Sequence, residues 1–147
     1  PVMEILDRGL TPEEAAAVAG WAYPPPYDLY DASESAELAD YHPVVREGEL
    51  VGFVCLGEHA RVPGQWEAHE AVDVGAGLRP DLLSQGLGTE LMQMVTERFA
   101  GRPLRAAVAA FNERSQRLCQ SAGFEVVRRF TGPDGRLFVE MVRPAPD

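Results

Sequence analysis

Apolar residues recur along this chain with two different periods, and the switches between them lay out a series of strands and helices. Val2 to Leu6 reads as a first strand. Thr11-Pro12-Glu13-Glu14 opens a helix: Thr can cap, Pro suits the first turn, and the Glu three residues beyond Thr11 completes a capping box. That helix is expected to run to about Trp21, ahead of Pro24-Pro25-Pro26. A second short helix is expected around Ser33 to Ala39. Two strands follow, Pro43–Arg46 and Leu50–Leu56, joined by a Glu47-Gly48-Glu49 hairpin turn. A long strand ends at Leu78. From about Gly86 to Phe99, the residues Leu87, Leu91, Met94, Val95 and Phe99 recur at helical spacing. Leu104 to Ala110 is apolar and strand-like, and Asn112 is placed to cap a further helix. Val126–Thr131 and Leu137–Val142 then flank a Gly132-Pro133-Asp134-Gly135 turn. The predicted order is β-α-α-β-β-β-α-β-α-β-β.

Chemistry concentrates in Val72 to Leu91, VDVGAGLRPDLLSQGLGTEL. A strand, a Pro-broken turn and a glycine-rich helix entry build an anion site from backbone alone. The first amides of a helix lack internal partners and lie at the positive end of its dipole. Gly86 and Gly88 remove side chains that would keep a phosphate away from them. Two nucleotide motifs fail here. A P-loop needs Lys and Ser/Thr after its last glycine, whereas Gly88 precedes Thr89 and Glu90, and the chain has no lysine. A dinucleotide fingerprint needs three spaced glycines at a helix start, whereas Gly75 and Gly77 lie within the strand.

Leu83-Ser84-Gln85-Gly86-Leu87-Gly88 resembles the R/Q-x-x-G-x-G/A pyrophosphate signature of the GNAT superfamily of acyl-CoA-dependent N-acetyltransferases, departing from it at Leu83. A subgroup reading DIGxGxxPxLxGxGLG accommodates that leucine. Phe111-Asn112-Glu113-Arg114-Ser115, running through Cys119 to Ala122-Gly123-Phe124, resembles the family's second segment. Asn112 and Gly123 sit where an N-cap and a left-handed C-cap are wanted. The resemblance extends over nearly the whole chain. It implies a single α/β (α+β) domain over residues 1–147, with a mixed, mostly antiparallel sheet of about seven strands and helices on both faces.

Composition narrows the partners. At 147 residues, with 46% apolar content, the chain can bury one good core. No apolar run approaches the ~20 residues that span a bilayer, and no secretory leader is evident. Cys55 and Cys119 form no metal-ligand spacing, so no metal is expected; reduced thiols of a cytoplasmic protein fit them best. All 13 basic residues are Arg, against 23 acids, a net charge of −10 that disfavours nucleic acid. Seven acids and no base lie between Arg8 and Arg46. That region could attract a cationic amine, or the acids could simply solvate the surface.

The resemblance implies acetyl-CoA as acyl donor, with pantetheine pairing to the strand around Ala76, Gly77 and Leu78. The pyrophosphate would meet Leu83, Ser84, Gln85, Gly86, Leu87, Gly88 and Thr89. Asn112 could serve the cofactor, cap its helix, or both, and Ser115 could face the CoA arm or solvent. Gly75 and Gly77 could instead mark a plain bulge. A lysine-like amine has a pKa near ~10.4, so only about one in 10³ is neutral at pH 7 and a base helps. Glu70 and Asp73 are the candidates, on opposite strand faces, with His69 third; either carboxylate could equally be solvated or ion-paired. Val72 stands where the family often has its base. Cys119 takes the place of the family's acidic Tyr, as proton donor or as a buried helix cysteine. Trp21, Tyr27 and Tyr30, with Asp28 and Asp31 interleaved, are candidates for the acceptor pocket, or for a loop packed on the core.

These features favour direct acetyl transfer to a primary amine of a small molecule or peptide. The alternatives are a catalytically weak acyl-CoA-binding and sensing module, and a homodimeric interaction domain with a vestigial site.

Overall fold

A computed structural model describes residues 2–23, 38–65, 70–83 and 85–146. The chain forms two compact units, Pro1–Cys55 with Ala76–Leu91, and Leu56–Gly75 with Met92–Asp147.

In the first unit, β1 (Met3–Ile5), β2 (His42–Arg46) and β3 (Glu49–Leu56) make an antiparallel meander. The turn between β2 and β3 places Glu47 and Gly48 at φ of 53° and 77°, the left-handed pair that a two-residue hairpin requires. Helix α1 (Pro12–Ala19) starts as its sequence dictates. Thr11 Oγ1 accepts from the Glu14 amide at 3.1 Å, and the Glu14 carboxylate accepts from the Thr11 amide at 2.9 Å. Its Ala15 and Val18 join Leu10 and Leu38 in a cluster, against which Trp21, Tyr41, Leu50 and Phe53 pack.

The second unit carries β5 (Leu104–Ala109), α3 (Glu113–Ser121), β6 (Glu125–Thr131) and β7 (Leu137–Arg143). Leu104, Val139 and Met141 are fully buried in its core. β7 pairs antiparallel to both β5 and β6. A bulge at Val127 shifts the β6 register, so that Arg128 rather than Val127 lies opposite Glu140. Bulges re-aim side chains in this way.

Strand β4 (Val72–Leu78) and helix α2 (Leu87–Arg98) each begin in one unit and end in the other. The strand order is β1-β2-β3-β4-β5-β7-β6, with β4 and β5 parallel and the other described ladders antiparallel. The seven-stranded mixed sheet and the placing of its strands along the chain agree with the expectation from sequence. Two short 3₁₀ turns, Gly57–Ala60 and Pro80–Leu82, were not expected. The helix expected at Ser33 to Ala39 lies largely outside the described residues.

Candidate functional site

The glycine loop has the geometry its composition demands. Leu78 ends β4, a 3₁₀ turn spans Pro80–Leu82, and Gly86 takes φ of 81° immediately before α2 begins at Leu87. Gln85, Gly86 and Thr89 are exposed, and nothing lies within 4 Å of where a Cβ on Gly86 would stand. The helix entry is therefore open to a ligand, and its first four amides have no intrahelical acceptor. Arg79 adds little net positive charge, since its guanidinium is shared between Asp81, at 2.6 Å, and Glu49, at 2.8 Å. The attraction this loop offers an anion comes from its backbone. Ser84 lies outside the described residues.

In β4, Gly77 is a point of close approach, though to a side chain of the same unit. A Cβ there would meet the Phe53 ring at 2.5 Å, and a Cβ on Gly52 would meet the Gly77 carbonyl oxygen at 2.6 Å. Phe53 stacks on Tyr41 at 5.2 Å and tilts against Trp21 at 6.3 Å. Trp21 is thus a half-buried member of the packed cluster, in line with the loop-on-core alternative. Tyr23, next along, donates its hydroxyl to the Leu78 carbonyl at 2.8 Å. Tyr27 and Tyr30 lie outside the described residues.

The pairing of β4 with β5 is short. Val72 faces Leu104 and Asp73 faces Arg105, and no described ladder pair lies beyond, although β4 continues to Leu78 and β5 to Ala109. A strand that leaves its neighbour keeps amides and carbonyls that still require partners.

Asp73 was a candidate base, and its surroundings speak against that role. Arg105 grips it with both arms, Nε on Oδ1 and Nη2 on Oδ2 at 3.0 Å, while Arg61 Nε donates to Oδ2 at 2.9 Å. Asp73 is 4% exposed. Burial pushes its carboxyl up, but the two guanidinium groups outweigh burial and hold its pKa below the ordinary carboxylate value. A carboxylate so held is a poor proton acceptor. The pair continues across the sheet. Arg105 Nη1 reaches Glu140 at 3.3 Å; Glu140 also accepts from Gln65 at 2.8 Å and from Arg128 Nε at 3.1 Å. The sequence did carry a signal for this network, namely charges set inside apolar strands, Arg105 in LRAAVA and Glu140 in the middle of LFVEMVR.

Cys119 is a core residue, 3% exposed on α3. Burial raises its pKa to about 11, so it is a weaker acid than a CoA thiol near ~8.5, and transfer of its proton to a thiolate would run uphill. The buried-cysteine alternative describes it. Asn112, also buried, spends both ends of its amide on the cap. Its Oδ1 accepts from the Ser115 amide at 3.1 Å, and its Nδ2 donates to Ser115 Oγ at 2.9 Å. Gly123 follows at φ of 95°, the left-handed C-terminal residue expected. Glu70, in contrast to Asp73, is exposed and takes part in none of the described ion pairs. His69 lies outside the described residues. Among the described residues, no group of three His, Cys, Asp or Glu could hold a metal ion, and no helix is long and apolar enough to cross a membrane.

Comparison with known proteins accords with this geometry. The model of the Acetyltransferase (GNAT) family matches residues 7–124, and the chain belongs to that family. It is accordingly an N-acetyltransferase that takes its acetyl group from acetyl-CoA. No curated protein matches the sequence. Among solved structures, the aminoglycoside acetyltransferase AAC(6')-Ib in complex with coenzyme A and kanamycin is similar, at 20% identity and a TM-score of 0.73, over 97% of this chain and 94% of that one. The putative acetyltransferase yncA from Salmonella typhimurium, with its cofactor acetyl-CoA, matches at 19% identity and 0.67, over 100% and 96%. A spermidine N-acetyltransferase SpeG chimera from Vibrio cholerae and hSSAT matches at 14% and 0.71, over 97% and 95%. At such identities the likeness is one of fold.

Proposed function

We propose that this enzyme transfers the acetyl group directly to a neutral primary amine, that of a cationic small molecule or a peptide. The observation carrying direct transfer is the burial of both thiols. Cys55 is 7% exposed and Cys119 is 3% exposed, which leaves neither placed to form a covalent acetyl-enzyme. The pyrophosphate rests on the loop from Leu83 to Thr89, and pantetheine pairs with backbone of β4 past Asp73. Glu70 is the proton acceptor, directly or through a water, because it is the exposed carboxylate at the head of β4. The structural relatives that bind kanamycin or act on spermidine handle amines rich in positive charge. A surface of net charge −10 suits acceptors of that kind.

The experiment is thiol release from acetyl-CoA on a panel of an aminoglycoside, a polyamine and a peptide with a free N-terminus, for the wild type and Glu70→Gln. A cationic amine is expected to drive release, and the substitution to lower kcat by about 10²-fold with acetyl-CoA affinity unchanged. Full activity of Glu70→Gln on every accepted amine would remove Glu70 from the mechanism. Release independent of any amine would remove direct transfer.

A further inference from the structure

The Asp73–Arg105 pair sits at the last point where β4 and β5 are paired, and it is built more elaborately than a stabilising contact requires. Register puts the two residues directly opposite each other across parallel strands, with side chains on one face of the sheet. Arg105 meets the carboxylate with a two-armed fork, a geometry that fixes orientation as well as distance. Neither side chain is more than 7% exposed.

Each partner is then held from behind. Arg61 adds a third hydrogen bond to Asp73, and Glu140 takes the spare arm of Arg105. Glu140 is itself fixed by Gln65 and by Arg128, which the Val127 bulge brings opposite it. The result is a row of alternating charge across four strands, Asp73 on β4, Arg105 on β5, Glu140 on β7 and Arg128 on β6. Such a row is a costly way to gain stability. Apolar residues of like volume usually serve as well or better, because desolvation offsets most of the attraction between buried charges. What a buried fork supplies is register.

We propose that the Asp73–Arg105 fork is a positioning device that fixes the residue at which β4 leaves β5, and thereby the backbone edge that pantetheine uses. The proposal rests on the pantetheine placement above. Val72 and Asp73 are tied to β5, and beyond them the backbone groups on the β5-facing edge of β4 are left for the cofactor arm, the Leu78 carbonyl being already taken by Tyr23. The nucleotide end, whose phosphates would rest on the loop from Leu83 to Thr89, does not depend on the fork.

That difference supplies the test. The double variant Asp73→Leu/Arg105→Met removes the fork while leaving Glu140 with Arg128 and Gln65. Its melting temperature, and its affinities for acetyl-CoA and for adenosine 3′,5′-bisphosphate, are compared with those of the wild type by calorimetric titration. The expected result is a melting temperature at or above the wild type, a loss in acetyl-CoA affinity of about tenfold or more, and an unchanged affinity for the bisphosphate. Equal acetyl-CoA affinity in a folded double variant would overturn the proposal and leave the pantetheine reading standing. Parallel losses for both ligands would overturn it too, as a general disturbance. Failure of the wild type to bind acetyl-CoA better than the bisphosphate would instead sink the pantetheine placement itself. Should the double variant not fold, Arg105→Lys keeps the charge but cannot make the fork. The same selective loss is expected there, and unchanged acetyl-CoA affinity would refute the device.

Discussion

At Gly86 the backbone adopts φ of 81° in a place where nothing crowds an added side chain. Space is therefore not what demands glycine, and two separate costs can be told apart. Asn and Asp both tolerate left-handed backbone and have nearly the same shape, but only Asp puts a negative charge at the helix entry. Gly86→Asn is expected to lower acetyl-CoA affinity little. Gly86→Asp should lower it by about tenfold or more, since a carboxylate there competes for the amides that would hold pyrophosphate. Titration of the two variants side by side checks this, and equal affinities would move the phosphates elsewhere. Asn112 teaches the complementary lesson. Its residue type and position suited either a ligand contact or a cap, and only coordinates reveal that both ends of its amide serve Ser115.

Among the elements, β4 does the most with the fewest residues. Its Gly77 admits the Phe53 ring, which in turn stacks on Tyr41. Gly77→Ala is expected to cost about 1–3 kcal/mol by overpacking, measured by urea unfolding. The same change in a Phe53→Leu background should cost clearly less, and equal costs would show that the ring is not the obstacle. The strands and helices were legible because local signals agreed with tertiary packing: the Thr11–Glu14 capping box, the left-handed hairpin pair, and the Asn112 and Gly123 caps. The loop at Gly86 was legible for the same reason, as its glycine is a local requirement. At Asp73, Cys119 and Trp21 the sequence left two readings open, because a residue's role there depends on which distant group faces it. A carboxylate in a strand looks alike in sequence whether two arginines hold it or water does.

Across the whole molecule, acid should be the condition that finds the network. Asp73 and Glu140 both titrate below their ordinary values, because guanidinium groups outweigh the burial that would raise them. The folded state therefore binds protons less readily than the unfolded chain at these sites. Their contribution is present above the unfolded values near ~4 and is lost as pH falls through the depressed folded values. The urea midpoint is expected to fall steeply below about pH 4. The Asp73→Leu/Arg105→Met variant should show a shallower fall, and identical pH profiles would mean that other carboxylates govern acid unfolding. A row of charges in which every member answers a neighbour has one more consequence, in how such a sequence can drift. Losing Arg105 alone leaves buried Asp73 with Arg61 only, and losing Asp73 alone leaves buried Arg105 with Glu140 only, each an under-paired buried charge that costs stability. Neutral paths through sequence space must change these positions together. Relatives of this chain should therefore either keep the fork entire or carry an apolar pair in its place, with half-replaced forks scarce.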